Sequence, residues 1–485
     1  MQEIKYDVVI IGAGLSGIGM AYWLQRKCAN KSYTILETRE SLGGTWDLFR
    51  YPGIRSDSDM FTFGYRFKPW KDPRSMSDGP SILQYLKETA SENGIDKNIQ
   101  YGHKLVRANW SSQERCWELE VESKGGSTKM KARFLSMCGG YYNYKEAYRP
   151  QFEGEEDYKG KIIQPQFWPQ DLDYKGKRVV IIGSGATAVT LVPAMAATAA
   201  HVTMLQRSPT YMMALPNHDN LYKFLRKILP DKVAYNFIRR RNLLLGIAMF
   251  NWMRKFPAQS RKFLIKQAAK QLPKGYDVNK HFNPRYNPWD QRLCIVPDGD
   301  LFQSVSNGSA SVVTDEIERF TGNGIMLRSG DELEADIIVM ATGLKIHLLG
   351  GAEIRVDGQA VKANETMIYK GMMISDIPNM AIAFGYTNAS WTLKSDLTAN
   401  YVCKLLNYMD RKGYTMVVPA RKKDIDQEPI MNFNSGYVER ALDILPKQGS
   451  ERPWRVYQNY FMDMVTTRFG NTADGVLNFF KSDQA

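Results

Sequence analysis

The sequence has few cysteines, and none of them lie close together along the chain. The five are Cys28, Cys116, Cys138, Cys294 and Cys403. An odd number of scattered cysteines does not favour a disulfide framework, and the lack of a Cys-x-x-Cys pair argues against a disulfide-reducing redox centre. We therefore expect reduced, mostly buried thiols.

The sequence also lacks an apolar run long enough to cross a membrane. The longest, Leu243 to Met253, is broken by Asn251 and has about half of the ~20 residues that a spanning helix needs. The N-terminus runs directly into a predicted strand, without the features of a signal peptide. We expect a cytoplasmic protein.

Metal-ion and hydrolase chemistry are not expected from the histidines and serines. The five histidines have no metal-ligand spacing, and no Gly-x-Ser-x-Gly elbow accompanies them. These histidines are His103, His201, His218, His281 and His347.

Positive charge, in contrast, is concentrated in one segment. The 485 residues carry a formal net charge of +13, and the stretch from Asn220 to Lys274 holds fourteen Lys or Arg against one acid, Asp231, so it accounts for the whole excess. Apolar residues interleave with these charges, as in interfacial helices. We expect peripheral contact with anionic membranes, unless the apolar side chains pack inward and the charges merely face water. Nucleic acid is not expected, because no recognised binding fold accompanies the charge.

Two stretches have the strand–helix–strand pattern of a βαβ unit. The first consists of Lys5 to Ile11, Leu15 to Cys28 and Tyr33 to Leu36. The second consists of Arg178 to Ile182, Thr187 to Ala197 and His201 to Leu205. Between them, alternating segments predict a β-meander, at His103 to Trp110, Cys116 to Glu122 and Lys129 to Met137. The predicted fold class is α/β with two Rossmann-like dinucleotide-binding domains.

The turn after the first strand is rich in glycine. In Gly12-Ala13-Gly14-Leu15-Ser16-Gly17, the first Gly permits a tight turn, the second admits a pyrophosphate and the third allows close helix packing. Glu37, twenty residues after Gly17, ends the next strand, where a carboxylate can accept both ribose hydroxyls. The pattern predicts an adenine dinucleotide without a 2′-phosphate, rather than a turn without a ligand.

The second turn, Gly183-Ser184-Gly185-Ala186-Thr187-Ala188, has the same placement. Aligning the strands that follow puts Leu36-Glu37 opposite Leu205-Gln206, and Arg207 comes next. A carboxylate here would repel a 2′-phosphate, whereas a guanidinium can bind one, so this site should prefer NADPH to NADH. A solvated surface role for Arg207 is the alternative.

Two such sites fit a flavoprotein that holds FAD and takes hydride from NADPH. A disulfide, a quinone or dioxygen could then accept the electrons. Because a redox-active cysteine pair is missing, dioxygen or a diffusible acceptor remains.

Further motifs follow in a characteristic order. They are Gly43-Gly44-Thr45-Trp46-Asp47, Tyr51-Pro52-Gly53-Ile54-Arg55-Ser56-Asp57, and Phe152-x-Gly154 with Trp168-Pro169. Three more are Asn287-Pro288-Trp289-Asp290-Gln291-Arg292-Leu293, Tyr369-Lys370-Gly371-Met372-Met373 and Gly385-Tyr386-Thr387-Asn388-Ala389-Ser390-Trp391. The first three resemble type I Baeyer–Villiger monooxygenases, which are class B flavoprotein monooxygenases, and the last three are similar to their ethionamide-activating branch.

The resemblance implies oxygen insertion from O2 through a C4a-peroxyflavin. Small apolar ketones would become esters or lactones, and sulfides or thioamides would be oxygenated. Arg292 would supply the fixed charge beside the peroxide, and Asp57 would hold this arginine. A surface ion pair of Arg292 with Asp290, and turn capping by Asp57, are the alternatives.

The motifs and the resemblance together give a set of expected cofactor-binding residues. For the two sites taken together, these are Gly12, Gly14, Ser16, Gly17, Glu37, Thr45, Trp46, Asp47, Arg55, Ser56, Asp57, Leu105, Gly343, Gly183, Ser184, Gly185, Ala186, Thr187, Ala188, Arg207 and Ser208. Tyr51, by the same resemblance, would pack at the flavin with Trp46.

One position departs from the family fingerprint. Gln164 stands where a histidine is expected, four residues before Trp168. Glutamine keeps a donor and an acceptor but cannot become a cation, so the coupling of NADPH oxidation to oxygenation is in question. Gln164 makes a largely uncoupled NADPH oxidase one alternative to a ketone-oxidising enzyme. A heteroatom oxygenase with little ketone activity is the other.

The expected domains follow from these assignments. Residues 1–145 would form the first part of the FAD domain, 146–335 the NADP domain with a helical insertion at 218–280, and 336–485 the rest of the FAD domain with the C-terminal region. Prolines at 216, 230, 257 and 273 predict that the insertion consists of several short helices.

Overall fold

The computed structural model describes residues 4–421, 425–431 and 435–482. Two sheets with parallel strands at their centres dominate this part of the chain. The α/β class predicted from the sequence is observed.

The N-terminal part contains the first strand–helix–strand unit and the meander. Its elements are β1 Tyr6–Ile11, α1 Leu15–Lys27, β2 Tyr33–Leu36, α2 Thr45–Leu48, α3 Met60–Phe63, α4 Gly79–Glu92, β3 Ile99–Gln100, β4 Lys104–Ser111, β5 Cys116–Ser123, β6 Gly126–Met137 and β7 Tyr142–Ala147.

The middle part contains the second unit and the helices that interrupt it. Its elements are β8 Lys161–Ile163, β9 Arg178–Ile182, α5 Ala186–Ala196, β10 His201–Gln206, β11 Met212–Leu215, α6 Asn220–Ile228, α7 Asp231–Lys255, α8 Pro257–Ala269, α9 Val278–Phe282, β12 Cys294–Pro297, α10 Asp300–Ser306, β13 Ala310–Thr314, β14 Ile317–Phe320, β15 Gly324–Leu327, β16 Glu332–Glu334 and β17 Ile337–Met340.

The C-terminal part returns to the first sheet and ends in short elements. They are β18 Leu344–Ile346, β19 Glu353–Val356, β20 Gln359–Ala360, β21 Ile368–Tyr369, β22 Met373–Ile374, β23 Met380–Ile382, α11 Trp391–Lys412, β24 Tyr414–Pro419, β25 Gln427–Pro429, α12 Gly436–Glu439, β26 Lys447–Gly449, α13 Tyr460–Arg468 and β27 Leu477–Lys481. Short 3₁₀ helices lie at Asp96–Asn98, Glu155–Asp157, Pro165–Phe167, Leu348–Gly351 and Ala363–Glu365.

The first sheet is built around β1. This strand lies between β2 and β6 and is parallel to both, with Ile11 opposite Leu36 and Met137. The predicted meander is confirmed, because β4, β5 and β6 pair in antiparallel register. Val8 to Ile11 are buried without alternation, as expected for a parallel strand that is covered on both faces.

The second sheet has the order β13-β10-β9-β17-β8, and all its pairs are parallel. Ile182 lies opposite Leu205, which repeats the register of Ile11 and Leu36. The apolar strand β17 is buried between β8 and β9. The second unit therefore continues past the expected boundary at residue 335, through Met340.

The basic insertion contains the helices α6 to α9. The expectation of several short helices is wrong for α7, which has 25 residues, because no proline occurs between Pro230 and Pro257. Tyr222, Tyr235 and Ile238 pack into the core beneath α1, whereas Ala268 packs into that of the second unit. The insertion thus bridges the two units. Within the described residues, no helix is both long and apolar enough to cross a membrane.

Candidate functional site

The first glycine turn has the geometry of a dinucleotide site. Gly12 has φ +99°, and a Cβ there would lie 2.8 Å from the carbonyl oxygen of Cys138; a Cβ on Gly17 would lie 1.9 Å from that of Gly12. Gly14 caps α1 without a side-chain hydrogen bond, so N–H groups of the first helical turn, which includes Ser16, are available to an anion. The turn fits a pyrophosphate.

Glu37 lies beside this turn and is buried. Its two carboxylate oxygens accept hydrogen bonds from the N–H groups of Ala13, at 2.8 Å, and Arg39, at 2.9 Å. Burial raises the pKa of Glu37, against the effect of those two bonds. Each oxygen keeps a further lone pair for a ribose hydroxyl. The N–H of His103 donates to the Glu37 carbonyl, which places β4, with the buried Leu105, next to this position.

The loop from Gly43 to Asp47 approaches the same turn. A Cβ on Gly44 would lie 3.2 Å from Cα of Gly14, and Thr45 forms a side-chain hydrogen bond with Tyr144. Any side chain at Gly14 or Gly44 would fill the gap between this loop and the first glycine turn.

Trp46 and Asp47 follow in this loop and serve different purposes. The Trp46 ring packs edge-to-face on Phe63, with 5.6 Å between centroids. Asp47 is buried and accepts bonds from Arg39 at 2.5 Å, Ser41 at 2.5 Å and Arg50 at 3.0 Å. Burial opposes ionisation of Asp47, but these donors outweigh it and lower the pKa. Asp47 therefore anchors the loop.

The second glycine turn repeats the geometry of the first. Gly183 has φ +133°, and a Cβ there would lie 2.3 Å from the carbonyl oxygen of Ala341. Gly185 caps α5, which begins with Ala186, Thr187 and Ala188, without a side-chain bond, and a Cβ on Gly185 would have no atom within 4 Å. This turn has open space in front of a free helix N-terminus, which fits a second dinucleotide.

The strand end beside this turn differs from the first. Gln206 occupies the position of Glu37, but its amide donates to the carbonyl of His281 and the hydroxyl of Thr314. Arg207 is exposed, and it has no ion pair among the described residues. The carbonyl of the adjacent Ser208 accepts a bond from Ser184 Oγ at 3.2 Å. Arg207 is thus free to meet a 2′-phosphate.

Three of the expected cofactor residues are already engaged or lie apart from the first turn. Arg55 forms an ion pair with Asp300, at 2.5 and 3.3 Å, and the buried Ser56 donates to the Ser58 carbonyl. Gly343, with φ +109°, follows β17 in the second sheet, not a strand of the first. The sequence pattern did not show Asp300, because it is far from Arg55 along the chain.

Arg292 and Asp57 form the central pair of the site. Arg292 Nε lies 2.8 Å from one carboxylate oxygen of Asp57, and Nη2 lies 2.7 Å from the other. The negative charge of Asp57 is the main reason that the pKa of Arg292 lies well above its ordinary value. The surface-pair alternative is wrong, because Asp290 pairs with Arg254 of α7 instead, at 2.6 Å.

The helix α7 is also bound to the neighbourhood of Asp57. Asn242 donates to Asp59 at 2.9 Å, and the buried Arg239 donates to the carbonyls of Phe61, Thr62 and Gly64. These carbonyls belong to α3 and the residue after it, so a cation there satisfies the end of that short helix.

A small cavity of about 30 Å³ faces Arg292. The Arg292 side chain is 40% exposed and is surrounded mainly by aromatic groups. The other walls are Tyr141, Phe384, Gly385, Tyr386, Thr387, Trp391, Met431 and Tyr437. A space of this size holds little more than a water molecule. Arg292 is partly covered by aromatic side chains and partly open to solvent.

Some of these walls had a signal in the sequence and others had none. The segment from Gly385 to Trp391 was recognised as a motif, and Tyr141 follows Gly139-Gly140 at the end of β6. Met431 and Tyr437 come from the C-terminal part, where the sequence pattern shows nothing that would bring them to Arg292.

A hydrogen-bonded network supports one cavity wall from behind. The Tyr386 hydroxyl donates to Asp463 at 2.7 Å, and Lys394 Nζ donates to the same oxygen at 2.7 Å and to the Lys370 carbonyl at 2.9 Å. Lys394 is 2% exposed, and burial lowers its pKa although Asp463 opposes this. The network joins two of the motifs recognised in the sequence.

A larger cavity, of about 810 Å³, opens between the two units. Trp46, Tyr51 and Arg55 contribute to its walls from one side, and Pro297 and Asp300 from the other. Tyr51 also forms side-chain hydrogen bonds to Thr187 and Thr190 of α5. The expected flavin loop thus contacts the helix of the second turn.

Gln164 lies at the start of the 3₁₀ helix Pro165–Phe167. Its side-chain nitrogen is buried and has no hydrogen-bond partner within the described residues. A buried donor without a partner is costly, and a cofactor oxygen would satisfy it.

Comparison with known proteins agrees with this geometry. The flavin-binding monooxygenase-like (FMO-like) family model matches residues 5–412. The chain is 55% identical over 477 residues to the FAD-containing monooxygenase EthA of Mycobacterium tuberculosis (strain ATCC 25618 / H37Rv), covering 98% of each. It is 49% identical over 484 residues to the probable FAD-binding monooxygenase AlmA of Acinetobacter sp, covering 99% of this chain and 97% of that protein.

Solved structures show the same fold. Oxidized steroid monooxygenase bound to NADP matches with a TM-score of 0.78 at 20% identity, covering 98% of this chain and 99% of that one. Cyclohexanone monooxygenase bound to epsilon-caprolactone, in the loose conformation, matches with a TM-score of 0.75 at 18% identity, covering 98% and 99%. The predicted class, with two dinucleotide-binding domains, is confirmed.

Proposed function

This chain belongs to the flavin-binding monooxygenase-like family, and from that premise we propose that it is an FAD-dependent, NADPH-consuming Baeyer–Villiger monooxygenase. The observation that carries the proposal is the Asp57–Arg292 pair, of which Arg292 faces a mainly aromatic cavity beside the first glycine turn. The relatives support the resemblance inferred from the sequence motifs.

We assign the two cofactors to the two turns. Gly12, Gly14 and Glu37 bind the adenine dinucleotide part of FAD, because the turn admits a pyrophosphate and the Glu37 carboxylate would repel a 2′-phosphate. The nearby guanidinium of Arg39 is paired with Asp47. Gly183, Gly185 and Arg207 bind NADPH, because the free guanidinium complements the extra phosphate. The two cofactors supply the electrons and the activation of O2.

Arg292 supplies a permanent positive charge for the oxygen-transfer step. A guanidinium is not neutralised at working pH, and Asp57 fixes its plane through two bonds. A charge that is placed in advance, in a site from which water is excluded, stabilises a developing anion without reorganisation. Tyr141, Trp391 and Tyr437 cover part of this charge.

The family supports a small organic substrate, for which the cavity beside Arg292 would have to widen, because about 30 Å³ holds little more than a water molecule. We propose ketones, which would give esters or lactones, and sulfides or thioamides, which would be oxygenated at the heteroatom. The guanidinium can polarise a substrate oxygen, and the apolar walls favour the rest of the molecule.

A panel of ketones and sulfides, incubated with the FAD-loaded enzyme and NADPH, tests the proposal. Product, NADPH consumed and hydrogen peroxide are measured together. Ester formation supports the Baeyer–Villiger assignment. Sulfoxide without ester would replace it by a heteroatom oxygenase, and peroxide equal to the NADPH consumed, without product, would replace it by an oxidase.

We also propose that the basic insertion makes peripheral contact with anionic membranes. All of the formal net charge of +13 lies between Asn220 and Lys274. Apolar ketones and sulfides partition into lipid, so contact with a membrane would bring the enzyme to its substrates.

A further inference from the structure

The insertion exposes an unusual number of apolar side chains. Most of the large hydrophobic residues that are exposed in the described part of the chain fall between Asn220 and Lys274. These ten are Leu221, Phe224, Ile228, Val233, Phe237, Leu244, Leu245, Trp252, Phe256 and Phe263. The alternative drawn from the sequence, that the apolar residues of this segment pack inward, is therefore wrong for these side chains.

The helix α6 has two apolar stripes, and only one of them is used by the core. Tyr222, Leu225 and Leu229 follow the i, i+3, i+7 spacing and pack against the first unit. Leu221, Phe224 and Ile228 have the same spacing one residue earlier and are 38%, 57% and 62% exposed. This spacing places the second stripe on one face of the helix.

The helix α7 continues the exposed apolar surface. Val233, Phe237 and Leu244 are 50%, 53% and 55% exposed, and their spacing of four and seven residues puts them on one face. Arg240 falls on the same face and is exposed. The helices α6 and α7 contact each other, and Tyr235 and Arg239 fix α7 to the first unit from its other side.

We propose that the exposed apolar stripes of α6 and α7, flanked by lysines, insert into the surface of an anionic membrane and dock the enzyme there. Exposed lysines at 223, 227 and 232 lie beside the stripes along the chain, and none of them has an ion pair in the described residues. Apolar side chains enter the headgroup region while the cations meet lipid phosphates.

The positive charge of the insertion favours an anionic membrane over a second copy of this chain as the partner of the exposed stripes. Two copies meeting through this face would bring two segments of +13 together, and that repulsion opposes association. An anionic bilayer offers the opposite charge and an apolar interior. The inference rests on the proposed membrane contact and adds to it the surface that enters the lipid.

Vesicle binding by the FAD-loaded full-length enzyme tests the inference. Co-sedimentation is measured with vesicles of equal parts phosphatidylcholine and phosphatidylglycerol, and with phosphatidylcholine alone, at low and physiological salt. The variant Phe224→Ser/Ile228→Ser/Phe237→Ser removes exposed apolar groups, so it should fold normally. The matched control, Val465→Ser/Phe469→Ser, changes side chains that are 53% and 77% exposed outside the insertion.

We expect binding to the anionic vesicles only, lowered on the order of tenfold for each inserted side chain removed and unchanged in the control. Reversal of Lys223, Lys227 and Lys232 to Glu should weaken binding by roughly fivefold or more for each residue, whereas reversal of Lys87 and Lys97 should not.

Three results would overturn the inference. If the apolar variant binds anionic vesicles as well as the parent enzyme does, the contact is electrostatic and the stripes do not insert. The proposed peripheral membrane contact would then survive without the insertion. Failure of the parent enzyme to bind anionic vesicles at low salt would remove both the proposed membrane contact and the insertion of the stripes. Self-association that is lost in the apolar variant, measured by light scattering, would assign the stripes to an interface between copies.

Discussion

Arg292 binds both carboxylate oxygens of Asp57, at 2.8 and 2.7 Å, across 235 residues of chain. Arg292 precedes β12 of the second unit, and Asp57 lies in the loop between α2 and α3 of the first. The pair therefore holds the two units together at the point where the cavity forms.

Replacing Arg292 with Ala should strongly reduce oxygenated product while FAD stays bound. Product formation should fall by about two to three orders of magnitude, as when a preorganised charge is lost from other active sites, and NADPH oxidation should fall less. Arg292→Lys keeps a positive charge but loses the two-bond contact with Asp57. Its rate of product formation should lie between those of the parent enzyme and Arg292→Ala. Ester or sulfoxide at the parent rate from Arg292→Ala would remove this residue from the mechanism.

Replacing Arg207 with Ala should erode the preference for NADPH over NADH. A charge-assisted contact contributes about 1.5–3 kcal/mol, so the ratio of the two kcat/KM values should fall by roughly ten- to a hundredfold. Arg319→Ala, at another exposed arginine, serves as the control. Full discrimination in Arg207→Ala would mean that another residue recognises the 2′-phosphate.

Glu37 should make FAD binding depend on pH. Because burial raises the pKa of Glu37, the carboxyl loses its proton, and so accepts hydrogen bonds through both oxygens, only at a higher pH than an ordinary glutamate. FAD affinity, measured by fluorescence titration of the apoprotein, should rise with pH through the folded pKa and then level off. The unfolding free energy of the apoprotein changes in the opposite direction. It falls as pH rises from the ordinary glutamate pKa to the raised folded pKa, because over that interval the folded state keeps a proton that the unfolded state has lost. Glu37→Gln should bind FAD more weakly and show neither trend.

Restoring histidine at position 164 should improve coupling. The buried Gln164 amide nitrogen has no partner in the described residues. The resemblance implies a histidine here, which can become a cation and help to couple the two nucleotide-binding domains. Gln164→His should therefore raise the fraction of NADPH that appears as product and lower the peroxide released. Equal product-to-peroxide ratios in the two enzymes would show that the substitution is silent.

Replacing two helical glycines, Gly17 and Gly246, with alanine should change the unfolding free energy in opposite directions. A Cβ on Gly17 would lie 1.9 Å from a backbone oxygen, whereas nothing lies within 4 Å of one on Gly246 of α7. Gly17→Ala should lower the unfolding free energy by about 1–3 kcal/mol and weaken FAD binding, and Gly246→Ala should raise it by about 0.5–1 kcal/mol. Urea denaturation of both variants measures the difference.

The regular parts of the fold were predictable because their signals are local. Continuous apolar runs such as Val8 to Ile11, followed by glycine turns, define β1 and β9, and the register of Leu36 and Leu205 followed from aligning the two units. The prolines at 230 and 257 mark the limits of α7, but its length was misjudged, because no proline divides the 25 residues between them.

The partners of the site residues were less accessible to sequence reasoning. Arg55 pairs with Asp300, and Asp290 with Arg254, through contacts that depend on how loops of the two units meet. The resemblance named Arg292 and Asp57 as a pair, but the cavity walls Met431 and Tyr437 have no local pattern. Long-range packing, which spacing along the chain does not encode, placed them there.

The helix α7 contacts the polypeptide on both sides of the Asp57–Arg292 ion pair. Its 25 residues form a rod about 37 Å long, held by Asn242 to Asp59 and by Arg254 to Asp290. Asp59 lies two residues from Asp57, and Asp290 two residues from Arg292. The two side-chain contacts of α7 therefore lie next to the two residues of the Asp57–Arg292 ion pair. A shift of α7 would therefore act on the loops that carry both Asp57 and Arg292.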